Sequence, residues 1–174
     1  MRTPYSILSL CTGIGALDIA VRRSLAKKGI ETRYTAFAEP DPECAQVLKF
    51  HHPEVINLGD IKLVDDWLPY KSDVIVAGFP CQPFSRAGNM LGENDERYLW
   101  PFIDEAICTI RPRLVFLENV AGFRSQGFGK VGASLARNGY VFRWHSVRAS
   151  DIGAPHRRDR VFIAAKPASD SGSQ

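Results

Sequence analysis

Residues 8–16 have the sequence Leu-Ser-Leu-Cys-Thr-Gly-Ile-Gly-Ala and join a short apolar run to an amphipathic one. The run at 6–10 has the composition of a buried strand, and the apolar residues from Ile14 to Leu25 recur at helical spacing. Glycines between a strand and a helix let the backbone approach a ligand at the carboxyl end of the strand, where doubly wound sheets bind nucleotides. This stretch therefore predicts the first strand–turn–helix unit of a parallel α/β fold.

Short β-rich runs alternate with helical patterns along the rest of the chain, as in a doubly wound, mostly parallel sheet. Strands are predicted at 34–38, 55–58, 73–77 and 114–117, with helices beginning near 42 and covering 99–110 and 130–138. The last two runs, 140–147 and 160–165, predict an antiparallel hairpin that closes the sheet. We therefore expect one Rossmann-like α/β domain over residues 1–166 and a disordered polar tail over 167–174.

The composition argues against several classes of protein. The chain has 174 residues, enough for one sizeable core, with 45% hydrophobic and 24% charged residues. No apolar run reaches the ~20 residues that span a bilayer, and the N-terminus lacks the apolar core of a signal peptide. We expect a cytoplasmic protein with no membrane contact.

The four cysteines are too widely spaced for a zinc site or a disulfide framework, so we expect no bound metal. Cys11, Cys44 and Cys108 are interpreted as small, buried apolar residues. The net charge is only +3, but residues 143–160 alone contain five arginines and two aspartates. Such a cluster favours a polyanionic partner, with a solvated charged surface as the simpler alternative.

Acidic residues follow the second and third predicted strands. Glu39 is suited to accept hydrogen bonds from ribose hydroxyls, and Asp60 to accept one from an adenine amino group. Together with the glycine turn, they place ligand groups at the ends of three successive strands, which predicts a nucleotide site. The alternative is an ordinary turn with two solvated acids.

Residues 77–85, Ala-Gly-Phe-Pro-Cys-Gln-Pro-Phe-Ser, place Cys81 just beyond a buried strand, whereas a structural cysteine lies more naturally within one. A thiol with a pKa near 8.5 leaves some thiolate at neutral pH, and thiolate is a suitable nucleophile for an activated ring carbon. Glu118 and Asn119 end the next strand, where an acid and an amide can contact a heteroaromatic ring. Without Cys81 predicted beside it, Glu118 would be better interpreted as a surface acid after a strand.

Arg158 and Arg160 precede the last predicted strand and lie two residues apart, so they point the same way on an extended chain. Three roles remain open for them: binding a phosphate, orienting Glu118, or lowering the pKa of the Cys81 thiol.

In order and spacing, these blocks resemble the cytosine-C5 DNA methyltransferases from about Ile7 to Ala165. The glycine turn is similar to that family's methyl-donor loop, and Glu39 and Asp60 to its next two donor contacts. Three further blocks are similar to its catalytic, E-N-V and Q-x-R-x-R blocks: Pro80-Cys81-Gln82, Glu118-Asn119-Val120 and His156-x-Arg158-x-Arg160, with histidine in place of glutamine. The resemblance implies the class I S-adenosylmethionine-dependent methyltransferase fold.

The resemblance also implies an enzyme of the restriction-modification type that methylates C5 of cytosine in double-stranded DNA, with S-adenosylmethionine as the donor. The cytosine is flipped out of the duplex, because its ring cannot be reached while stacked. Cys81 adds to C6 while Glu118 hydrogen-bonds or protonates N3. Asn119 and Arg160 hold Glu118 and the base, and Arg158 lies close to the nucleophile. The segment 85–97 resembles the mobile loop that closes over the DNA.

Further site residues follow from the same resemblance. Those assigned to the donor are Cys11, Thr12, Gly13, Ile14, Gly15, Glu39, Pro40, Asp60, Ile61, Gly78, Pro80 and Leu99. Those assigned to the nucleic acid are Gln82, Ser85, Arg86, Arg97 and His156. Cys11 stands where an aromatic residue is common, and Pro40 where a bulky side chain stacks on adenine, so we expect a looser donor site.

Complete members of the family continue into a target-recognition domain and a closing helix, and neither follows residue 165 here. We therefore expect the chain to act either alone or with a second polypeptide that supplies target recognition. A DNA substrate predicts association with the nucleoid in a bacterial or phage setting. Two alternatives remain open: a tRNA cytosine-C5 methyltransferase, and a truncated, non-catalytic remnant that binds nucleic acid or a partner.

Overall fold

A computed structural model describes residues 3–80 and 98–169. Within these residues the chain forms seven strands: β1 Tyr5–Leu10, β2 Thr32–Ala38, β3 Ile56–Asn57, β4 Val74–Gly78, β5 Leu114–Val120, β6 Tyr140–Arg148 and β7 Asp159–Pro167. The α-helices of the same residues are α1 Ala16–Ala26, α2 Pro42–His51, α3 Trp100–Ile110, α4 Phe123–Gln126 and α5 Phe128–Arg137.

The strands form one sheet in the order β3-β2-β1-β4-β5-β7-β6. The first five are parallel, and β7 runs antiparallel to both β5 and β6. This confirms the predicted doubly wound, mostly parallel sheet with a C-terminal antiparallel hairpin. Because the strand order reverses between β1 and β4, the connections after these two strands diverge and leave a crevice at their carboxyl ends.

The sheet is packed on both faces, which explains the nearly continuous apolar runs of β1 and β4. On one face, Val115 and Leu117 of β5 belong to a large core with α3 and α5. On the other, Leu114 and Phe116 pack against a smaller core centred on Val21 and the rest of the inner stripe of α1. Alternate side chains of β5 therefore point into the cores on opposite faces of the sheet, as the two-residue period of a strand requires.

The helix α1 covers only part of its face of the sheet. An open groove of about 490 Å³ lies between α1 and the β5–β7–β6 part of the sheet. Phe116 and Phe162 contribute to its floor, and Arg143 lines it from β6. Phe162 is 38% exposed, an unusual degree of exposure for a phenylalanine in an internal strand.

Several boundaries differ from the sequence-based predictions. The strand β3 has two residues rather than four, because Gly59 turns the chain at a φ of +74°. The four-residue helix α4 and the 3₁₀ turns Ile61–Leu63, Leu68–Tyr70 and Ala149–Ile152 are too short to produce a periodic pattern. The strand β7 extends to Pro167, and the Ala168 N–H donates to the Gly139 carbonyl (2.8 Å). Of the predicted tail, residues 170–174 lie outside the described residues.

No helix in residues 3–80 and 98–169 is both long and apolar enough to cross a membrane.

Candidate active site

A cavity of about 480 Å³ opens at the carboxyl edge of the sheet, at the crevice between β1 and β4. The glycine turn after β1 lines one end of it. Glu118, Arg158 and Arg160 line the other end, and Gly78 lies between. The structure therefore brings the predicted methyl-donor turn and three predicted catalytic residues into one cavity, although they come from distant parts of the chain.

The turn after β1 depends on left-handed backbone conformations. Cys11, Gly13 and Gly15 have φ values of +51°, +55° and +81°. A Cβ added at Gly13 would have no atom within 4 Å, so glycine is favoured there by its backbone conformation rather than by lack of space. The Thr12 hydroxyl donates to the Ser9 carbonyl (3.1 Å) and helps to fix the turn.

Glu39 holds this turn in place. Its Oε2 accepts the Gly13 N–H (2.6 Å), its Oε1 accepts the Asp41 N–H (2.9 Å), and the residue is only 8% exposed. The sequence indicated a ligand acceptor at this position but not a contact with the turn. Asp60 is more exposed; it accepts the Lys62 N–H (3.0 Å) and pairs with the Lys62 ammonium at 3.4 Å.

The cysteines of the described residues differ from one another. Burial raises the pKa of the Cys11 thiol to about 12, and the charges of Glu39 and Asp60 add to that effect, so this thiol remains protonated. Cys11 and Cys44 are half-buried. The interpretation of Cys108 as a buried residue is wrong: it is exposed, because it lies on the outer side of α3 while Ile103 and its neighbours in the inner stripe face the core.

Glu118 and Arg160 form a close ion pair, with Arg160 Nε 2.7 Å from Glu118 Oε1. Both side chains are about a quarter exposed, at 24% and 22%. Burial raises the pKa of the Glu118 carboxyl, and the positive charges of Arg160 and Arg158 oppose that rise. Of the three roles left open for the arginines, orienting Glu118 thus matches a contact that Arg160 makes.

Asn119 points to the opposite side of the sheet from Glu118. Its Nδ2 donates to the Phe79 carbonyl (3.1 Å), its Oδ1 accepts the Val120 N–H (2.8 Å), and it is 3% exposed. Because neighbouring residues of a strand face opposite ways, these bonds join Asn119 to the backbone of Phe79 and Val120 and not to Glu118. Asn119 thus fixes the backbone at Phe79, which directly follows β4 and precedes Cys81 by two residues. The role of Asn119 in holding the target base stays a prediction.

The remaining predicted site residues are more scattered. Pro40, Pro80 and His156 are exposed, Leu99 is half-buried just before α3, and Ile61 is buried in the larger core at 2% exposure. Five predicted site residues lie outside the described residues: Cys81, Gln82, Ser85, Arg86 and Arg97.

Asp18 is a cavity-lining residue that the sequence analysis missed. It belongs to the buried stripe of α1, is 1% exposed, and lies beside the Ser9 hydroxyl at the end of β1. Burial raises the pKa of the Asp18 carboxyl to about 6. A carboxylate at an otherwise apolar helical position was the available signal, since such groups are rarely buried without a partner.

The predicted basic cluster is divided among several surfaces. Arg143 lines the groove beside α1, whereas Arg158 and Arg160 line the cavity. Arg148 lies 3.9 Å from Asp159, which also pairs with Arg124 at 3.7 Å. No group of three or more metal-ligating side chains occurs in the described parts of the chain.

Comparison with known proteins agrees with this geometry. Residues 5–171 match the family profile described as C-5 cytosine-specific DNA methylase. The chain is 31% identical to the type II methyltransferase M.NgoMIV of Neisseria gonorrhoeae over 93% of its own length and 52% of the relative. It is 36% identical to M.DsaV of Dactylococcopsis salina, over 72% of its own length and 37% of the relative. The chain thus spans about half or less of these curated relatives.

Solved structures show the same fold. A mutant DNMT2 of Spodoptera frugiperda superposes with a TM-score of 0.76 at 23% identity, covering 96% of this chain and 51% of that one. The Dnmt2 methyltransferase of S. pombe gives 0.74 at 20% identity, covering 94% and 51%. With the family profile matched over almost the whole chain, the chain belongs to the C-5 cytosine-specific DNA methylase family.

Proposed function

We propose that residues 1–166 form a catalytic domain that transfers a methyl group from S-adenosylmethionine to C5 of a flipped cytosine in double-stranded DNA. The observation that carries this proposal is the shared cavity, in which the turn held by Glu39 faces the Glu118–Arg160 pair. Membership of the family supports the same reaction.

The turn at the β1 end of the cavity, and Glu39, which contacts that turn through Gly13, fit the donor. Each Glu39 oxygen accepts one backbone N–H, which leaves lone pairs free for ribose hydroxyls. The cavity volume of about 480 Å³ lies within the range of cofactor sites. Asp60 and the turn at residues 11–15 would complete the contacts. When bound, S-adenosylmethionine supplies the electrophilic methyl group that C5 accepts.

Glu118 is suited to the proton transfer that nucleophilic addition requires. As the Cys81 thiolate forms a bond to C6, electron density moves into the ring, and the raised pKa of Glu118 lets its carboxyl protonate N3. Arg160 then balances the negative charge left on Glu118. After C5 is methylated, a base removes the C5 proton, the C5–C6 double bond re-forms, the S–C6 bond breaks to release the Cys81 thiolate, and N3 returns its proton to Glu118.

Trapping of the covalent adduct tests this proposal. With the donor present, duplex DNA containing 5-fluorocytosine should form an adduct that survives denaturation, because fluorine cannot leave as a proton does. Cys81→Ser should abolish the adduct, whereas the exposed Cys108→Ser should form it normally. An assay of methyl transfer to duplex DNA and to tRNA decides the substrate class. Absence of the adduct in the chain, with and without the regions that its longer relatives carry, would contradict the catalytic proposal.

We also propose that an additional segment or a second polypeptide completes the enzyme. The chain spans 52% of M.NgoMIV, and the groove between α1 and β7 leaves Phe162 38% exposed. A helix with an apolar face would cover this groove. Phe162→Glu should therefore lower the affinity for such a segment, measured by titration, while the isolated chain keeps its thermal stability.

A further inference from the structure

We infer that Asn57 is a positioning residue for the donor site: its side-chain amide sets the end of β2, and through Glu39 the turn after β1. The inference rests on the proposed function, because it concerns how the donor contacts are held in place.

The strand β3 is too short to hold the end of β2 through backbone pairing alone. Its two residues pair only with Ala36 and Phe37, and the Leu58 N–H adds one bond to the Phe37 carbonyl (2.8 Å). The ladder therefore ends before Glu39. A residue that must present a carboxylate would be left at a fraying strand end.

The Asn57 side chain takes the place of the missing backbone pairing. Its Oδ1 accepts the Glu39 N–H at 3.0 Å, and its Nδ2 donates to the Glu39 carbonyl at 3.0 Å. The same Oδ1 accepts the Gly59 N–H at 3.2 Å. One amide thus satisfies both backbone groups of Glu39, a buried residue, and links it to the residue just before Asp60.

This arrangement connects the ends of three strands. With its backbone fixed by Asn57, Glu39 directs its carboxylate to the Gly13 N–H (2.6 Å). The ends of β1, β2 and β3 are therefore joined by three side-chain-to-backbone contacts of Asn57 and one of Glu39. Neither Asn57 nor Glu39 lines the cavity itself, so the effect of Asn57 on a donor there must pass through Glu39 to the Gly13 turn, which does line it.

Removal of the amide should leave the sheet intact. The strand β2 is paired with β1 from Thr32 to Ala38, and that register does not involve Asn57. The expected loss of order is confined to Glu39 and the turn, because the Glu39 N–H and carbonyl are the buried groups that lose their hydrogen bonds. The position is therefore open to a test that separates donor positioning from folding.

The test compares two ligands, S-adenosylhomocysteine and its 2′,3′-dideoxy analogue, by isothermal titration. We expect Asn57→Ala to lower the affinity for S-adenosylhomocysteine about five- to thirty-fold, which corresponds to about 1–2 kcal/mol. The analogue lacks the hydroxyls that Glu39 would bind, so the substitution should lower its affinity much less. In a Glu39→Ala background, Asn57→Ala should add little for either ligand, because the two residues act as one unit.

Asn138→Ala is the matched control. Its side chain also makes an amide hydrogen bond, to Asp104 (2.9 Å), but it follows α5, away from the cavity. It should leave both affinities unchanged. Hydrogen exchange gives a second measurement: in Asn57→Ala the Glu39 and Gly13 amides should exchange faster, while that of Phe37 stays protected. Asn57→Ser, whose side chain is too short to reach both Glu39 groups, serves if the alanine variant does not fold.

The outcomes are distinct. If the unsubstituted chain binds S-adenosylhomocysteine, and Asn57→Ala weakens both ligands equally or neither, the positioning role is wrong and the proposed function stands. If the unsubstituted chain does not bind S-adenosylhomocysteine, either alone or with the regions that its longer relatives carry, the proposed donor is wrong. Unchanged exchange at Glu39 and Gly13 would overturn the inference whatever the ligand result.

Discussion

The two ends of the cavity are built with different interactions. At the ends of β1, β2 and β3, neutral amides hold the polar groups: Glu39 is fixed by backbone N–H groups and by Asn57. At the ends of β5 and β7, opposite charges hold them, with Glu118 against Arg160. Fixed amide donors suit a carboxylate that only accepts hydrogen bonds, as Glu39 does. A half-buried carboxylate beside a cation instead has a pKa set by the balance of burial and charge, which suits the proton transfer proposed for Glu118.

Among these substitutions Glu118→Gln should lower methyl transfer the most, because a glutamine side chain cannot donate the proton proposed for Glu118. The Glu39 end of the site is left unchanged. We expect single-turnover methyl transfer to fall about 10²- to 10⁴-fold, the usual contribution of a general acid. The affinity for S-adenosylhomocysteine should change less than twofold, since the amide-held end is untouched. A comparable loss of donor affinity would show that the two ends are not independent.

Gly13→Ala disturbs the amide-held end instead. The φ of +55° disfavours alanine, although no atom lies within 4 Å of the added Cβ. A left-handed residue costs about 1–2 kcal/mol, so the donor should bind roughly five- to thirty-fold more weakly in titration. Gly129→Ala is the matched control: it also has open space, but no positive φ. Equal effects of the two substitutions would show that the backbone conformation of the turn does not matter.

Arg160→Met changes the pKa at the charged end. Arg160 opposes the rise in the pKa of Glu118, so its removal should raise that pKa further. Methyl transfer depends on the protonated acid and declines as pH rises through the pKa of Glu118, so this decline should move to higher pH. Arg158→Met should produce a smaller shift in the same direction, and Arg143→Met, in the groove, none. The pH dependence of kcat/KM gives the measurement, and a shift to lower pH would contradict it.

Asp18→Asn should produce the smallest effect on chemistry and a measurable one on stability. Burial raises the folded-state pKa of Asp18 to about 6, above the value of about 3.9 that is ordinary for an aspartate, so the folded protein binds the proton more tightly. The contribution of this group to stability is therefore fully present below about pH 4 and is lost as pH rises towards 6. The Tm of Asp18→Asn, relative to that of the unsubstituted chain, should rise across this window. The exposed Gln46→Ala, which removes no titratable group, should show no such trend.

Much of this architecture follows from local patterns. The strands β1 and β4, the start of α2 at Pro42 and the C-terminal hairpin were predicted to within two residues, because each has a clear period or a capping residue. The residues that line the cavity were also largely predicted, since the ends of parallel strands meet at one edge. These features depend on neighbours within a few positions.

The contacts that the sequence did not indicate join distant positions. Asn57 and Glu39 are 18 residues apart, and Asn119 and Phe79 are 40 apart. No local period marks such pairs, because each polar side chain is equally consistent with a solvated surface position. Asp18 is the exception, because a carboxylate within the apolar stripe of α1 indicates a buried polar group that could have been noticed in the sequence.

The position of β7 has a consequence for how the protein is made. The strand β7 follows the other described strands in the sequence, yet it lies inside the sheet, between β5 and β6, and Arg160 stands near its beginning. During synthesis on the ribosome, Glu118 therefore remains without its arginine until nearly the entire domain has emerged. The order of translation itself delays assembly of the charged pair, so an unfinished chain has the turn held by Glu39 but not the Glu118–Arg160 pair.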